Sequence, residues 1–233
     1  MKPLISVVVP ARNEEKYLGS CLEALLRQDF QSYEVIVVDN ASTDNTSSIA
    51  KQYKVRLVFE RKTGLSYARN KGFSKALGEI IARTDADAIP PKNWLSRIYE
   101  VFEEDPKVVA VTGSDEFFDQ GILLKYISRF LFLMNFYLIR MFFGHYQLSG
   151  PNFAVRKYTL NGIRFHENDS KVHEDQDIAC HLCSQGKIVF VPSLVMPISG
   201  RRLKSDPLYL IRYFKKTIYT FFLHHPVHKW HSV

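Results

Sequence analysis

The chain has 233 residues, 46% hydrophobic, 13% aromatic and 24% charged. This fits one large α/β domain, or one domain with a short appendage, and excludes global disorder, a collagen-like repeat and a small disulfide-stapled scaffold. Lysine and arginine number 31 against 24 acidic residues, a formal charge of +7 that suits anionic partners: nucleotides, nucleic acid or an acidic membrane surface.

Strand and helix signals alternate through the first hundred residues. Ile5–Val9 is a β-branched run, and the apolar stretch Leu4–Val9 that holds it is too short for a signal-peptide core and is closed by Pro10. Glu14–Gln28 places Leu18, Cys21, Leu22, Leu25 and Leu26 on one helical face. Val35–Val38 predicts a second strand, and the cap-rich stretch Ser42–Asp44 opens a helix to about Tyr53. Val55–Phe59 follows as a strand, Leu65–Leu77 as a helix and Glu79–Thr84 as a strand. Pro90 and Pro91 precede a helix through Trp94, Ile98 and Phe102, and Val108–Thr112 is the next strand. The alternation predicts a mostly parallel sheet with helices on both faces. Ligands of such sheets gather at the carboxyl ends of the strands. Those ends are Pro10–Glu14, Asp39–Asp44 and Asp85–Asp87.

The pattern then changes. Ile122–Phe143 is almost uniformly apolar, and its five polar residues, Lys125, Ser128, Arg129, Asn135 and Arg140, fall within an arc of roughly 140° shared with Phe132, Phe136 and Ile139. Pro207–Leu223 mixes apolar and aromatic residues with Arg212, Lys215 and Lys216. Arg201, Arg202 and Lys204 stand just before it. Three cysteines cannot pair completely, which suggests a reducing compartment. Cys180 and Cys183 form a CxxC without a second pair of ligands, so they are expected as buried core residues of a helix. His224, His225, His228 and His231 read as a polar tail.

Asp85-Ala86-Asp87 sets two carboxylates beside each other after an apolar strand. Such carboxylates repel unless a cation or strong donors neutralise them, and a hard Mg²⁺ or Mn²⁺ shared with a diphosphate is an economical answer. A solvated loop is the plain alternative for this pair alone. Likewise, Glu174-Asp175 could simply be acids in the first turn of a helix, and Arg201-Arg202 a solvated basic loop.

Five segments in order resemble the motifs of family 2 glycosyltransferases. They are Ser6–Glu15 (SVVVPARNEE), Val37–Asp44 (VVDNASTD), Gly64–Gly72 (GLSYARNKG), Thr84–Asp87 (TDAD) and His173–Asp175 (HED). The resemblance implies a GT-A-type, Rossmann-like fold over residues 1–200: a nucleotide-sugar half at 1–112 and an acceptor-side half at 113–200. Residues 201–233 form a basic, apolar C-terminal segment. It also implies roles. Pro10, Ala11, Arg12, Asn13, Glu14 and Asp39 would hold the nucleotide, with Arg69 near the diphosphate or base. Asp87 would be the main metal ligand, with Asp85 on the ribose or a metal-bound water and Ala86 between them. Asp175 would deprotonate the acceptor with Glu174 beside it, and Gly150, Pro151 and Asn152 would form the acceptor-side wall. Arg201 and Arg202 would close over the diphosphate, because arginine offers a bidentate fork to phosphate. Asn40 and Ala41 depart from the family's usual Asp and Gly.

The expected activity is inverting transfer of a sugar from a nucleoside diphosphate, UDP first, to a hydroxyl or phosphate of a glycan or lipid-linked acceptor. A nucleotidyltransferase is the enzymatic alternative, although Pro10–Glu15 lacks a glycine-rich phosphate loop. No nucleic acid is expected as a partner, because the aromatics crowd the apolar stretches instead of interleaving with basic residues. If Ile122–Phe143 crossed a bilayer, Asp85 and Asp175 would lie on opposite sides. Either core burial or a flat interfacial position is compatible with one active site. The cationic residues favour the second, on the cytoplasmic face of the membrane against anionic lipid.

Overall fold

A computed structural model describes residues 2–161, 163, 171–206 and 208–224. His225, His228 and His231 therefore lie outside the described residues. Seven strands form one sheet in the order β3-β2-β1-β4-β6-β5-β7. They are β1 (Ile5–Ala11), β2 (Tyr33–Asp39), β3 (Arg56–Phe59), β4 (Ile80–Arg83), β5 (Val108–Phe117), β6 (Phe153–Arg156) and β7 (Lys187–Ile198). β6 runs antiparallel between β4 and β5, and all the other pairs are parallel.

The helices are α1 (Leu18–Leu26), α2 (Thr46–Ala50), α3 (Leu65–Lys75), α4 (Trp94–Glu104), α5 (Ile122–Phe143), α6 (Glu174–Leu182), α7 (Arg201–Ser205) and α8 (Tyr209–Ile218), the last followed by a π-helical turn over Tyr219–His224. The strand alternation sorts them onto two faces. Val7, Val9, Val35 and Val37 pack with α1 and α4, while Val8, Ile36 and Val38 pack with α3 and α6. Burying a side chain of this size contributes about 1.5–3 kcal/mol, so β1, buried throughout, anchors the domain. α3 approaches the sheet closely because residue 72 is glycine: a Cβ there would stand 2.3 Å from Val8 Cγ1.

The expected α/β architecture is present, with informative differences at the boundaries. The first helix starts at Leu18, later than the apolar pattern suggests, because the preceding backbone bonds across to the next loop. Asn13, Glu14 and Glu15 N–H donate to Ser42 Oγ (3.1 Å), Thr46 Oγ1 (2.7 Å) and Asp44 Oδ2 (3.1 Å). β5 continues five residues past the predicted end at Thr112 and so delivers Asp115 to the strand-end edge. Cys180 and Cys183 do sit at the end of α6, yet only Cys21 is buried; Cys180 is half-buried and Cys183 exposed.

Residues of α5 are helical over the expected range, and its orientation is specific. The arc that carries the polar residues faces the protein: Ser128, Phe132, Asn135, Phe136 and Ile139 are buried. Lys125 and Arg129 both pair with Glu116, at 2.8 and 3.0 Å, instead of pointing outward. The opposite arc leaves Leu123, Phe130 and Met141 at 72%, 61% and 66% exposure. By length and composition α5 could span a bilayer; its inner arc is instead packed on the domain.

Candidate active site

The carboxyl ends of β1, β2 and β4 and the loop entering β6 converge at one edge of the sheet. Two cavities open there, of about 340 and 210 Å³. Pro10, Ala11, Arg12, Glu14, Asn40 and Ala86 line the smaller one. Ser149, Gly150, Pro151, Asp115, Glu174 and Asp175 line the larger. Asp85, Asp87 and Arg202 belong to both, so the DxD acids stand on the shared wall.

β4 places Arg83, a fully buried arginine, directly beneath this wall. A charge taken out of water must be paired, and here three carboxylates surround it. Its Nη2 lies 2.8 Å from Asp85 Oδ1 and its Nη1 3.2 Å from Glu174 Oε1, with Asp175 adding to the field. Glu174 also receives a charge-assisted bond from Arg69, which is equally buried. Burial alone would raise the Glu174 pKa, but Arg69 and Arg83 outweigh it and hold the carboxylate below the usual range. Glu174 is thereby an ionised strut between α3, β4 and α6.

Asp175 has the opposite environment. Burial, joined by the neighbouring charge of Glu174, pushes its pKa up, which disposes it to accept a proton. Gly150 N–H donates to Asp175 Oδ2 at 2.7 Å and Gln176 N–H to Oδ1 at 2.9 Å. His173 lies alongside, its Nε2 3.1 Å from the Tyr213 carbonyl and its ring 4.6 Å from the Tyr213 ring. Burial holds this imidazole below its ordinary pKa and therefore neutral.

At the other end of the wall, burial and the charge of Asp85 raise Asp87 to about 6. The Arg201 guanidinium bonds Glu14, lies 3.1 Å from Asp87 Oδ2 and rests over the Tyr17 ring. Glu14 Oε2 is buried without a hydrogen-bond partner. These oxygen donors suit a hard divalent cation, and the seated guanidinium demonstrates that the acids draw positive charge. Among the described residues no three or more His, Cys, Asp or Glu form a preformed cage. A bound ion would need further oxygens from a ligand such as a diphosphate.

Several expected site residues stand elsewhere. Arg69 lines neither cavity, because Glu174 and Asn70 engage its guanidinium. Asn152 is fully buried behind the wall, where it accepts from Trp94 Nε1 (2.9 Å) and donates to the Ser114 and Leu194 carbonyls. It is a brace for the wall, and Ser149, Gly150 and Pro151 form the surface itself. Asn13 adopts φ +56° and accepts from Thr43 N–H, buttressing the loop outside the smaller cavity. Asp39 is buried beside that cavity with its oxygens engaged by Ser42 N–H and the Ser47 hydroxyl.

Other contributors carried weak signals or none. Asn40 donates to the Glu60 and Lys62 carbonyls and accepts from Gly64 N–H at 2.7 Å. A carboxylate there could not donate, which explains asparagine at this position. Cys21 points its thiol at the Asp85 carbonyl, 3.5 Å away. Arg83 had a legible signal, a charge closing the apolar strand Ile80–Ala82. Asp115 had none, and the α8 face made of Tyr209, Arg212, Tyr213 and Lys216 had only helical spacing; all line the larger cavity.

Residues 6–166 match the sequence profile of Glycosyl transferase family 2. The chain belongs to that family. Glycosyltransferase GlyG of Streptococcus pneumoniae is 42% identical over 116 residues, 47% of this chain and 38% of GlyG. Glycosyltransferase AglE of Haloferax volcanii is 37% identical over 103 residues, 41% of this chain and 34% of AglE. The matched regions thus span well under half of these relatives. Among solved structures, the mannosyltransferase PcManGT of Pyrobaculum calidifontis, in complex with GDP-Man and Mn²⁺, superposes with a TM-score of 0.68 at 24% identity, covering 94% of this chain and 65% of that one. S. aureus TarS 1–349 with UDP-GlcNAc gives 0.65 at 24% identity, covering 84% and 57%. These likenesses establish the GT-A-type fold of this family 2 glycosyltransferase.

Proposed function

We propose that this glycosyltransferase moves a sugar from a nucleoside diphosphate, a UDP-sugar first, onto a hydroxyl or phosphate of a lipid-linked glycan, with inversion, at the cytoplasmic face of an anionic membrane. The observation that carries this reading is the shared wall: Asp85 and Asp87 stand between two cavities, and Asp175 faces the larger one. In this reading the nucleoside occupies the smaller cavity, the diphosphate meets Asp85 and Asp87, and the sugar enters the larger space. The UDP-GlcNAc and GDP-Man complexes of the two neighbours support a nucleotide-sugar donor.

Asp175 takes the proton of the acceptor hydroxyl as its oxygen attacks the anomeric carbon. The bond from that carbon to the diphosphate oxygen breaks on the opposite side, and one displacement inverts the centre. Gly150 and Gln176 hold the Asp175 carboxyl in place for this transfer. Arg202, on both cavities, lies where it can meet the departing phosphate, and Arg201 can join it once its hold on Glu14 and Asp87 is released. A divalent cation, Mn²⁺ or Mg²⁺, held by Asp87 and Asp85 would neutralise the charge gathering on the leaving diphosphate.

The lipid-facing part of the proposal rests on the exposed apolar arc of α5 and, apart from it, on exposed Leu208 and Ile211, which alternate in the chain with exposed Lys204, Arg212 and Lys215. Exposed apolar side chains with cations in the neighbouring sequence suit the interfacial region of an anionic bilayer.

The test is a thermal-shift panel of UDP-, GDP- and dTDP-sugars with Mn²⁺ or with chelator. Stabilisation is expected only with nucleotide and ion together, and Asp87→Ala should abolish the ion dependence. Equal stabilisation in chelator would refute the metal role, and no stabilisation by any nucleotide would refute the donor class.

A further inference from the structure

Asp115 lies in none of the recognisable motifs, yet it lines the larger cavity. It follows the register shift between Gly113 and Ser114, where β5 resumes pairing with β7 at Val195. That irregularity, and the extension of β5 to Phe117, bring its carboxyl onto the wall with Arg83, Asp85, Ser149 and Asp175. Ser149 and Gly150 divide the work: the Ser149 hydroxyl bonds Asp115 Oδ2 and the Gly150 amide bonds Asp175 Oδ2. Two carboxyls from different elements are thus set side by side by consecutive residues.

The two Asp115 oxygens differ. Oδ2 has the serine; Oδ1 is shielded from solvent and has no hydrogen-bond partner. An unsatisfied acceptor of this kind is costly, and native proteins keep few of them without a use. Burial is the largest influence on this group; the Ser149 bond opposes it, and the charges of Asp85 and Asp175 add to it, so the pKa is pushed up to about 8. At neutral pH the carboxyl can therefore donate as well as accept. Tyr209 and Tyr213 line the same cavity from α8, and the space belongs to the transferred sugar if the diphosphate lies at Asp85 and Asp87.

We infer that Asp115 is the residue that reads the transferred sugar: its unpartnered oxygen bonds a hydroxyl or amide substituent of the ring and holds it between the diphosphate end at Asp85 and the base Asp175. This deepens the proposed function and rests on its donor assignment. A purely structural brace through Ser149 is the competing role, and the two differ in what they do to nucleotide and to nucleotide-sugar.

Isothermal titration with Mn²⁺ separates them. UDP, GDP, UDP-glucose, UDP-N-acetylglucosamine and GDP-mannose would be titrated into wild type, Asp115→Ala and Asp115→Asn, with melting temperatures recorded in parallel. The bare diphosphate should bind all three proteins within about twofold. The nucleotide-sugar that wild type prefers should lose at least about tenfold with Asp115→Ala, while Asp115→Asn, which keeps a donor and an acceptor, should stay within about threefold. Equal losses for diphosphate and nucleotide-sugar would overturn the inference, as would no loss at all or a wild type that gains nothing from the sugar. Failure of wild type to bind either diphosphate would instead overturn the donor assignment on which the inference depends.

Discussion

The Gly150 amide donates to Asp175 Oδ2 at 2.7 Å, and a side chain in place of Gly150 would displace the groups around it. A Cβ there would stand 2.4 Å from Arg83 Nη1 and 3.2 Å from Asp175 Oδ2. The glycine therefore fixes the proposed base and lets a buried guanidinium pass beneath it. Gly150→Ala should lower kcat by about 10–100-fold, since displacements of an ångström carry costs of that order. Nucleotide affinity should change little. A kcat within twofold of wild type would contradict this.

Glu174 is expected to matter chiefly for stability. It is the shared counter-ion of Arg69 and Arg83, both 1% exposed in their side chains. Glu174→Ala would remove the carboxylate shared by two buried cations, leaving Arg83 to Asp85 and Arg69 to Asn70 Oδ1 and a backbone carbonyl, at a cost of about 3–5 kcal/mol. Chemical denaturation would measure it, and a loss below 1 kcal/mol would show that the arginines find other partners.

Ala41 sits at φ +54°, in the left-handed region where a Cβ is strained. Ala41→Gly should raise unfolding stability by about 1 kcal/mol, after allowing for the greater freedom of glycine in the unfolded chain. A melting temperature at or below that of wild type would count against the strain.

Asp87 gives a pH dependence. Its pKa rises to about 6, first through burial and then through the charge of Asp85. The folded state thus holds this proton more tightly than the unfolded one. Its contribution to stability falls as pH rises from the ordinary aspartate range through about 6, then levels off. Asp87→Asn should therefore melt higher than wild type at pH 7, with the gap closing towards pH 4. Ion-dependent UDP binding should run the other way, weakening as pH falls below about 6 and the carboxylate takes up its proton. Binding that is flat from pH 5 to 7 would argue against Asp87 as the ion's anchor.

The outward arc of α5 predicts lipid binding. Ile127 and Phe130 are 45% and 61% exposed, so replacing both by aspartate should leave the fold intact. Wild type should co-sediment with phosphatidylglycerol vesicles at low salt and Ile127→Asp/Phe130→Asp should remain in the supernatant. Equal behaviour of the two proteins would remove the membrane proposal.

Local pattern made much of this protein readable in advance. The β-branched apolar runs of β1 and β2, the helical spacing of Leu18, Cys21, Leu22 and Leu25, and the clusters at Pro10–Glu14 and Asp85–Asp87 depend on neighbours in the chain, so the sheet and the strand ends carrying the site were legible. Tertiary structure decided how the charges are shared. Arg69 is engaged by Glu174; Asn152 braces the wall from behind; Arg83 spans Asp85 and Glu174, and Asp115 enters the site from a strand that shows no motif for it. It also turned the polar arc of α5 inward onto Glu116. Periodicity is set by backbone geometry and can be counted along the chain. The strength of an ion pair or an orphaned hydrogen bond depends on distance and on exclusion of water, and these exist only once the strands and helices have come together.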